Sequence, residues 1–166
     1  MDSYPTVREA LVFLPFVLPI ALWVAWSDMA RMKIPNKAVL AMAALWPLLG
    51  WIVMPLNFWL WGFAIMAIVL VAGFVGNAAG LFGAGDAKFA AAMAGVFTGG
   101  DPIFIATLYA VCSIGAFAVH RGLRAIPALR NMTPDWASWT HNKFPMGLAL
   151  ASMVVLYLLA AFLPQG

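Results

Sequence analysis

Charge is scarce in this chain of 166 residues: only 9% are Asp, Glu, Lys or Arg, against roughly a quarter in an ordinary soluble domain. Six acidic and nine basic residues cannot clothe the surface of a soluble fold of this size. Lipid can cover it instead, and with 65% apolar residues the chain belongs to the membrane class. Cysteine is almost missing. The single Cys112 excludes an intrachain disulfide and a Cys-built zinc site, and its place inside an apolar run reads as a small buried residue. The basic residues lie between apolar runs and form no continuous stripe, so the net charge of +3 does not point to nucleic acid. The N-terminus also lacks the marks of a cleaved signal. Asp2, Arg8 and Glu9 are mixed in sign, and the run Leu11–Trp26 is too long for a signal core and ends without a small-x-small site.

What is present is a series of long apolar runs. A helix of about 20 residues crosses about 30 Å of hydrocarbon. Five runs come close to that length: Ala10–Ser27, Ala38–Met54, Phe58–Ala79, Pro102–His120 and Pro145–Leu163. A sixth, Asp86–Thr98, is short and rich in Ala and Gly, and its length alone would permit a re-entrant segment. Basic residues decide between the two arrangements, because cytoplasmic loops collect Lys and Arg. If the sixth run spans, eight of the nine basic residues fall on one side and only Arg8 lies opposite. If it does not, Arg121, Arg124, Arg130 and Lys143 cross over and the asymmetry is lost. The expectation is an all-α polytopic membrane protein with about six transmembrane helices and both termini outside. Its cytoplasmic loops are then Met29–Lys37, Gly80–Gly85 and Arg121–Phe144. The last is either an amphipathic segment lying in the interface or a solvated connector. Eight tryptophans suit the membrane–water boundary. No internal repeat or linker divides the chain, so residues 1–166 read as a single domain.

Six acids must carry any acid–base chemistry. Asp2 and Glu9 sit near the N-terminus, Asp135 in the long loop, and Asp101 in the turn Gly99-Gly100-Asp101-Pro102; all four read as surface or turn residues. Asp28 and Asp86 differ. Asp28 closes the first helix and Asp86 opens the fourth, and the topology puts both at one membrane face. Each has a plain structural explanation: Asp28 as a helix-end anchor pairing with Arg31 or Lys33, Asp86 as a first-turn acid favoured by the helix dipole. Together they suggest more. Two carboxylates held close in a partly desolvated site share a proton. One then serves as general base on a water while the other protonates the carbonyl oxygen or leaving amine. This is aspartic protease chemistry, with no metal, no cofactor and no nucleophilic Ser or Cys. The glycines flanking Ala84 allow a tight turn beside the acid and a close approach of extended substrate.

Gly83-Ala84-Gly85-Asp86 has the GxGD pattern of intramembrane aspartic proteases. Asp28, followed by Lys33-Ile34-Pro35-Asn36, resembles the first catalytic motif of the type IV prepilin peptidase family, and Asp86-Ala87-Lys88 resembles the second. Phe144-Pro145-Met146-Gly147 is similar to the Pro-x-Gly that opens the family's final helix. The ordered set covers about Leu11 to Leu163 and looks like the short form serving tight-adherence (Flp) pili, the CpaA/TadV type. The larger bifunctional members carry paired Cys-x-x-Cys motifs linked to N-methylation, and one cysteine cannot supply them. The resemblance implies leader cleavage without methylation, with Asp28 and Asp86 as the catalytic acids. It also implies an address in the bacterial inner membrane. The implied substrate is a single-helix prepilin with a short basic leader, cut at the cytoplasmic face.

Around the pair, Gly83, Gly85, Lys88, Arg31 and Lys33 are the expected substrate-binding residues. Lys88 is the expected reader of a glutamate that prepilins of this resemblance carry just after the cut. The plain alternative is that Lys88, Arg31, Lys33 and Lys37 only set topology. His120 and His141 read as interfacial histidines, with no carboxylate or Cys beside them at ligand spacing. Gly73 and Gly76 permit close helix contact. Two rival functions are a small proton- or ion-coupled transporter using the same acids and a non-catalytic assembly subunit of a pilus or secretion machine. The first expects acids near mid-helix, and no run has one there. The second leaves the shared face of the two acids unexplained.

Overall fold

A computed structural model describes residues 4–141 and 143–164. The protein is an all-α polytopic membrane protein. Among the described residues seven α-helices follow in order: α1 (Val7–Arg31), α2 (Asn36–Val53), α3 (Leu56–Ala78), α4 (Ala84–Ala94), α5 (Pro102–Ala125), α6 (Pro127–Met132) and α7 (Met146–Leu159). Short 3-10 turns at Gly95–Phe97, Ala137–Trp139 and Ala160–Phe162 complete the regular structure. Helices α1, α2, α3 and α5 are each long and apolar enough to cross a membrane.

Local chemistry sets the helix ends. Thr6 and Glu9 start α1 reciprocally: the Glu9 amide donates to Thr6 Oγ1 at 3.2 Å and the Thr6 amide donates to Glu9 Oε2 at 2.9 Å. Asp101 caps α5, its Oδ1 accepting from the amides of Ile103 and Phe104. These two acids are thereby accounted for as caps, and Asp135 is exposed in the loop. Asp2 lies outside the described residues. Helix α5 runs past His120 to Ala125, so Arg121 and Arg124 stand on a helix rather than in a loop. Arg, Leu and Ala are good helix formers, and the helix stops where Pro127 forces Ile126 into an extended conformation. The loop itself divides in two. Helix α6 buries none of its residues, while Ser138 and Trp139 are buried against the bundle.

The core sits between α1, α2, α4 and α7, and α3 and α5 form outer walls. The indole of Trp46 is its centre. It is wholly buried, lies parallel to Phe13 at 6.2 Å, and exchanges indole-to-carbonyl hydrogen bonds with Trp59. Gly62 of α3 and Gly95 after α4 leave the room it occupies: a Cβ at either would run into the ring. Gly62→Ala therefore forces the indole out of place and costs about 1–3 kcal/mol. The check is a denaturant titration in detergent, where the midpoint falls without loss of helicity. At the far end Tyr157 packs edge-on to Phe97 at 4.7 Å. The outer walls present large apolar side chains outward, among them Trp61, Val71 and Phe74 on α3 and Ile114 and Phe117 on α5. Lipid is the surrounding in which that surface is stable.

Helix α4 is short, about 16 Å at 1.5 Å per residue, yet it joins the two ends of the bundle. Its first residues share a cavity with Asp28 and Met32 at the end of α1. The segment that follows it, Thr98–Gly100, shares another with Tyr4–Thr6 before α1 and with the α2–α3 turn at Met54-Pro55. Gly99 turns that segment at φ +88°. The Ala- and Gly-rich composition follows from this placement. Ala87, Phe89 and Ala91–Ala94 are buried in protein, and Gly73 of α3 lies against Ala87 so closely that an added Cβ would stand 2.9 Å from the Ala87 Cβ.

Candidate active site

Asp28 lies in the last turn of α1 and is 5% exposed. Its place is fixed on both sides. Beyond it, Met32 adopts the left-handed conformation at φ 53° and its amide donates to the Asp28 carbonyl, ending the helix. Ser27 Oγ donates to the carbonyl of Lys33 at 2.9 Å and ties the following loop back to the helix. Arg31 does not pair with Asp28; its guanidinium sits over the Trp26 ring, 5.1 Å from the centroid. The partner of the Asp28 carboxylate comes from the other end of the chain. The Gly147 amide, in the first turn of α7, donates to Asp28 Oδ2 at 2.7 Å in a buried contact. A free amide at a helix N-terminus is a natural donor to a carboxylate.

Asp86 lies in the first turn of α4, half-buried. Its Oδ2 accepts from the Gly83 amide at 3.1 Å, so it caps its own helix with one oxygen. The turn before it is braced: Asn77 Nδ2 donates to the Phe82 carbonyl at 2.9 Å, and the Phe82 ring lies on Gly76, where a Cβ would overlap it. Gly80 takes the positive φ of +74° that the turn requires. Gly85 faces Ile34 of the Lys33-Ile34-Pro35-Asn36 loop, with 3.4 Å from an added Cβ to the Ile34 Cβ. The two motifs are thus adjacent in space.

Both carboxylates open into the same two cavities. The larger, about 530 Å³, is lined by Asp28, Met32, Phe82, Gly83, Asp86, His141, Lys143 and Met146 among others. The smaller, about 310 Å³, holds Asp28 and Asp86 with Lys33, Asn36, Gly83, Gly85 and Lys88. Of the residues expected to bind substrate, Gly83, Gly85, Lys33 and Lys88 line a cavity with the pair. Arg31 lines neither, and Lys37 lies exposed outside both.

Three residues at the site carried no functional reading in the sequence. Lys143 and His141 bring the long loop to the cavity, the Lys143 amide donating to His141 Nδ1 at 3.1 Å. Gly147 holds Asp28. The Pro-x-Gly motif marked its position without showing what the glycine does. His120 has a packing role that its sequence did not show. Besides standing near the end of α5, it is 2% exposed, stacked on Trp139 at 5.8 Å and edge-on to Phe144 at 5.9 Å. The loop folds back over it, which anchors the stretch that leads into Gly147.

A sequence model described as the type IV leader peptidase family matches residues 15–119. The matched stretch contains both aspartates, the Lys33–Asn36 loop and the glycines before Asp86; Gly147 and α7 lie beyond it. No curated protein and no solved structure matches the chain. With most of its length matched, and with the two motifs side by side in the fold, the chain belongs to the type IV leader peptidase family and is a membrane-embedded protease of that kind.

Proposed function

We propose that the protein is an aspartic endopeptidase of the bacterial inner membrane that removes the leader of Flp-type prepilins at the cytoplasmic face. Asp28 and Asp86 are its catalytic acids. The observation that carries this reading is the convergence of two distant carboxylates, at the end of α1 and the start of α4, on shared cavities. The family supplies the peptidase activity, and the pair supplies a mechanism for it. One carboxylate takes a proton from a water in the cavity as that water attacks the scissile carbonyl. The other, protonated, gives its proton to the carbonyl oxygen. When the tetrahedral intermediate collapses, the proton taken from the water goes to the departing amine, and the oxygen returns its own. The leader leaves with a new carboxylate and the mature protein with a new amine.

In this reading six segments cross the membrane, α4 with its 3-10 extension being the fourth, and both termini lie outside. Residues 1–166 form one peptidase domain without methyltransferase activity, as in the short tight-adherence form. The test is incubation of the purified protein with a prepilin, with product masses as the readout. Loss of the leader without a methyl increment is expected; an intact leader contradicts the proposal.

Lys88 stands beside the pair in the smaller cavity and is the proposed reader of the acidic residue after the cut. An unpaired carboxylate in such a pocket is costly, so Lys88→Ala should slow a normal prepilin about tenfold, a coupling of roughly 1.4 kcal/mol. It should leave nearly unaffected a prepilin whose glutamate is already replaced by glutamine. Equal slowing of both substrates removes Lys88 from recognition.

A further inference from the structure

A further cavity, about 360 Å³, runs along the bundle between the outer walls α3 and α5, floored by α4 and α7. At one end stand Phe82, Asp86 and Met146, which also line the larger polar cavity, so the two spaces adjoin there. At the other end are Phe97 and Ile105. Among the described residues, Asp86 alone brings a charge to its lining. Helix α3 rests on α4, and α5 on α7. The two outer helices stand as walls with the cleft between them.

Resting on the protease reading, we propose that this cleft receives the apolar helix of the mature part of the substrate, with the leader, the cut bond and the acidic residue just after it in the polar cavities beyond Asp86. Three features favour a helix. The stretch from Asp86 to Phe97 is roughly 16–20 Å long at helical rise, enough for about eleven residues of a bound helix. The floor offers Ala87, Ala90 and Ala94 at helical spacing on one face of α4, with Gly73 and Ala72 beside them. Met93 is the one long side chain that α4 adds between them, and an unbranched methionine can turn aside as a second backbone approaches. The polarity changes once, at Asp86, from apolar cleft to charged cavity. A prepilin changes polarity once as well, just past the cut and the glutamate that follows it. A basic leader also meets two carboxylates there, whereas the phosphate of a lipid whose chains filled the cleft would be set against them.

The cleft therefore fixes register: the helix seats along α4, and its polar start is delivered to the acid pair. A photo-reactive benzoylphenylalanine at Ile68, an exposed lining position on α3, tests this directly. In the Asp86→Asn protein, which retains substrate, it should cross-link a full-length prepilin within its apolar helix. The same probe at Val71, exposed but outside the lining, should not. Cross-links to lipid alone, or equal cross-linking from both positions, overturn the proposal. This readout does not need cleavage, so a cross-link at Ile68 together with a wild-type protein that cuts nothing sinks the protease reading and leaves the cleft. A kinetic arm complements it. Ala72→Phe, whose ring would project into the cleft, should raise KM for full-length prepilin at least tenfold. It should move KM far less for a peptide truncated soon after the cut. A parallel rise for both substrates contradicts helix docking.

Discussion

Asp28→Asn and Asp86→Asn are each expected to lower leader cleavage by about a thousandfold or more, with the double variant scarcely worse than either single one. The size follows from the roles. An amide keeps the shape of the carboxylate and much of its hydrogen bonding, but it can neither take a proton from water nor give one to the carbonyl oxygen. The lack of additivity follows from the pair acting as a unit, since water is activated and the carbonyl oxygen protonated in the same step and neither carboxylate works without the other. Their structural bonds differ, and this predicts how each variant folds. Asp86 accepts from the Gly83 amide through one oxygen, which an asparagine oxygen can still do. Asp28 accepts from the buried Gly147 amide, and the Asp28→Asn protein keeps that bond only with the new side-chain oxygen turned to the amide. Both variants should insert and reach wild-type levels, measured by membrane fractionation. Full activity in either removes that aspartate from the mechanism.

Gly147→Ala is expected to lose activity by about a hundredfold or more while the protein stays folded. A Cβ at residue 147 would stand 2.8 Å from Asp28 Oδ2 and 3.0 Å from its Cβ. Something must give, and the end of the Asp28 side chain yields more readily than α7, which is buried along most of its length. The carboxylate swings away, loses the 2.7 Å bond from the Gly147 amide, and no longer shares a proton productively with Asp86. A displacement of an ångström at a catalytic group is enough for a loss of this order. Leader removal measured beside thermal unfolding separates the outcomes: activity falls and the midpoint moves little. Wild-type cleavage by Gly147→Ala contradicts the role given to the α7 N-terminus.

The helices and the acid pair were legible in the sequence for different reasons. Long apolar runs announce spans by themselves, so α1, α2, α3 and α5 stand where the runs lie. Helix α4 is ambiguous in length and polarity, because a helix buried in protein can be short and rich in alanine. Only the distribution of basic residues argued that it crosses; in the fold it runs from the cavity at Asp28 towards the α2–α3 turn. Charged residues hid the extra turn of α5, since Arg121 and Arg124 look like loop while their long stems suit a helix at the membrane edge. What remained illegible is non-local. The bond from Gly147 to Asp28 joins positions 119 residues apart. The burial of His120 depends on Trp139 folding over it. Lys143 reaches the cavity only because that fold carries the loop inward. No periodicity or spacing encodes such contacts.

Cutting of a prepilin by Asp28 and Asp86 is read from the mass of a prepilin co-expressed with the wild-type protein and with Asp86→Asn. A mature form lacking the leader is expected in the first case and the full-length precursor in the second, with both enzymes equally abundant in the membrane. Mature pilin in the presence of Asp86→Asn, or an uncut precursor beside the wild type, would contradict it.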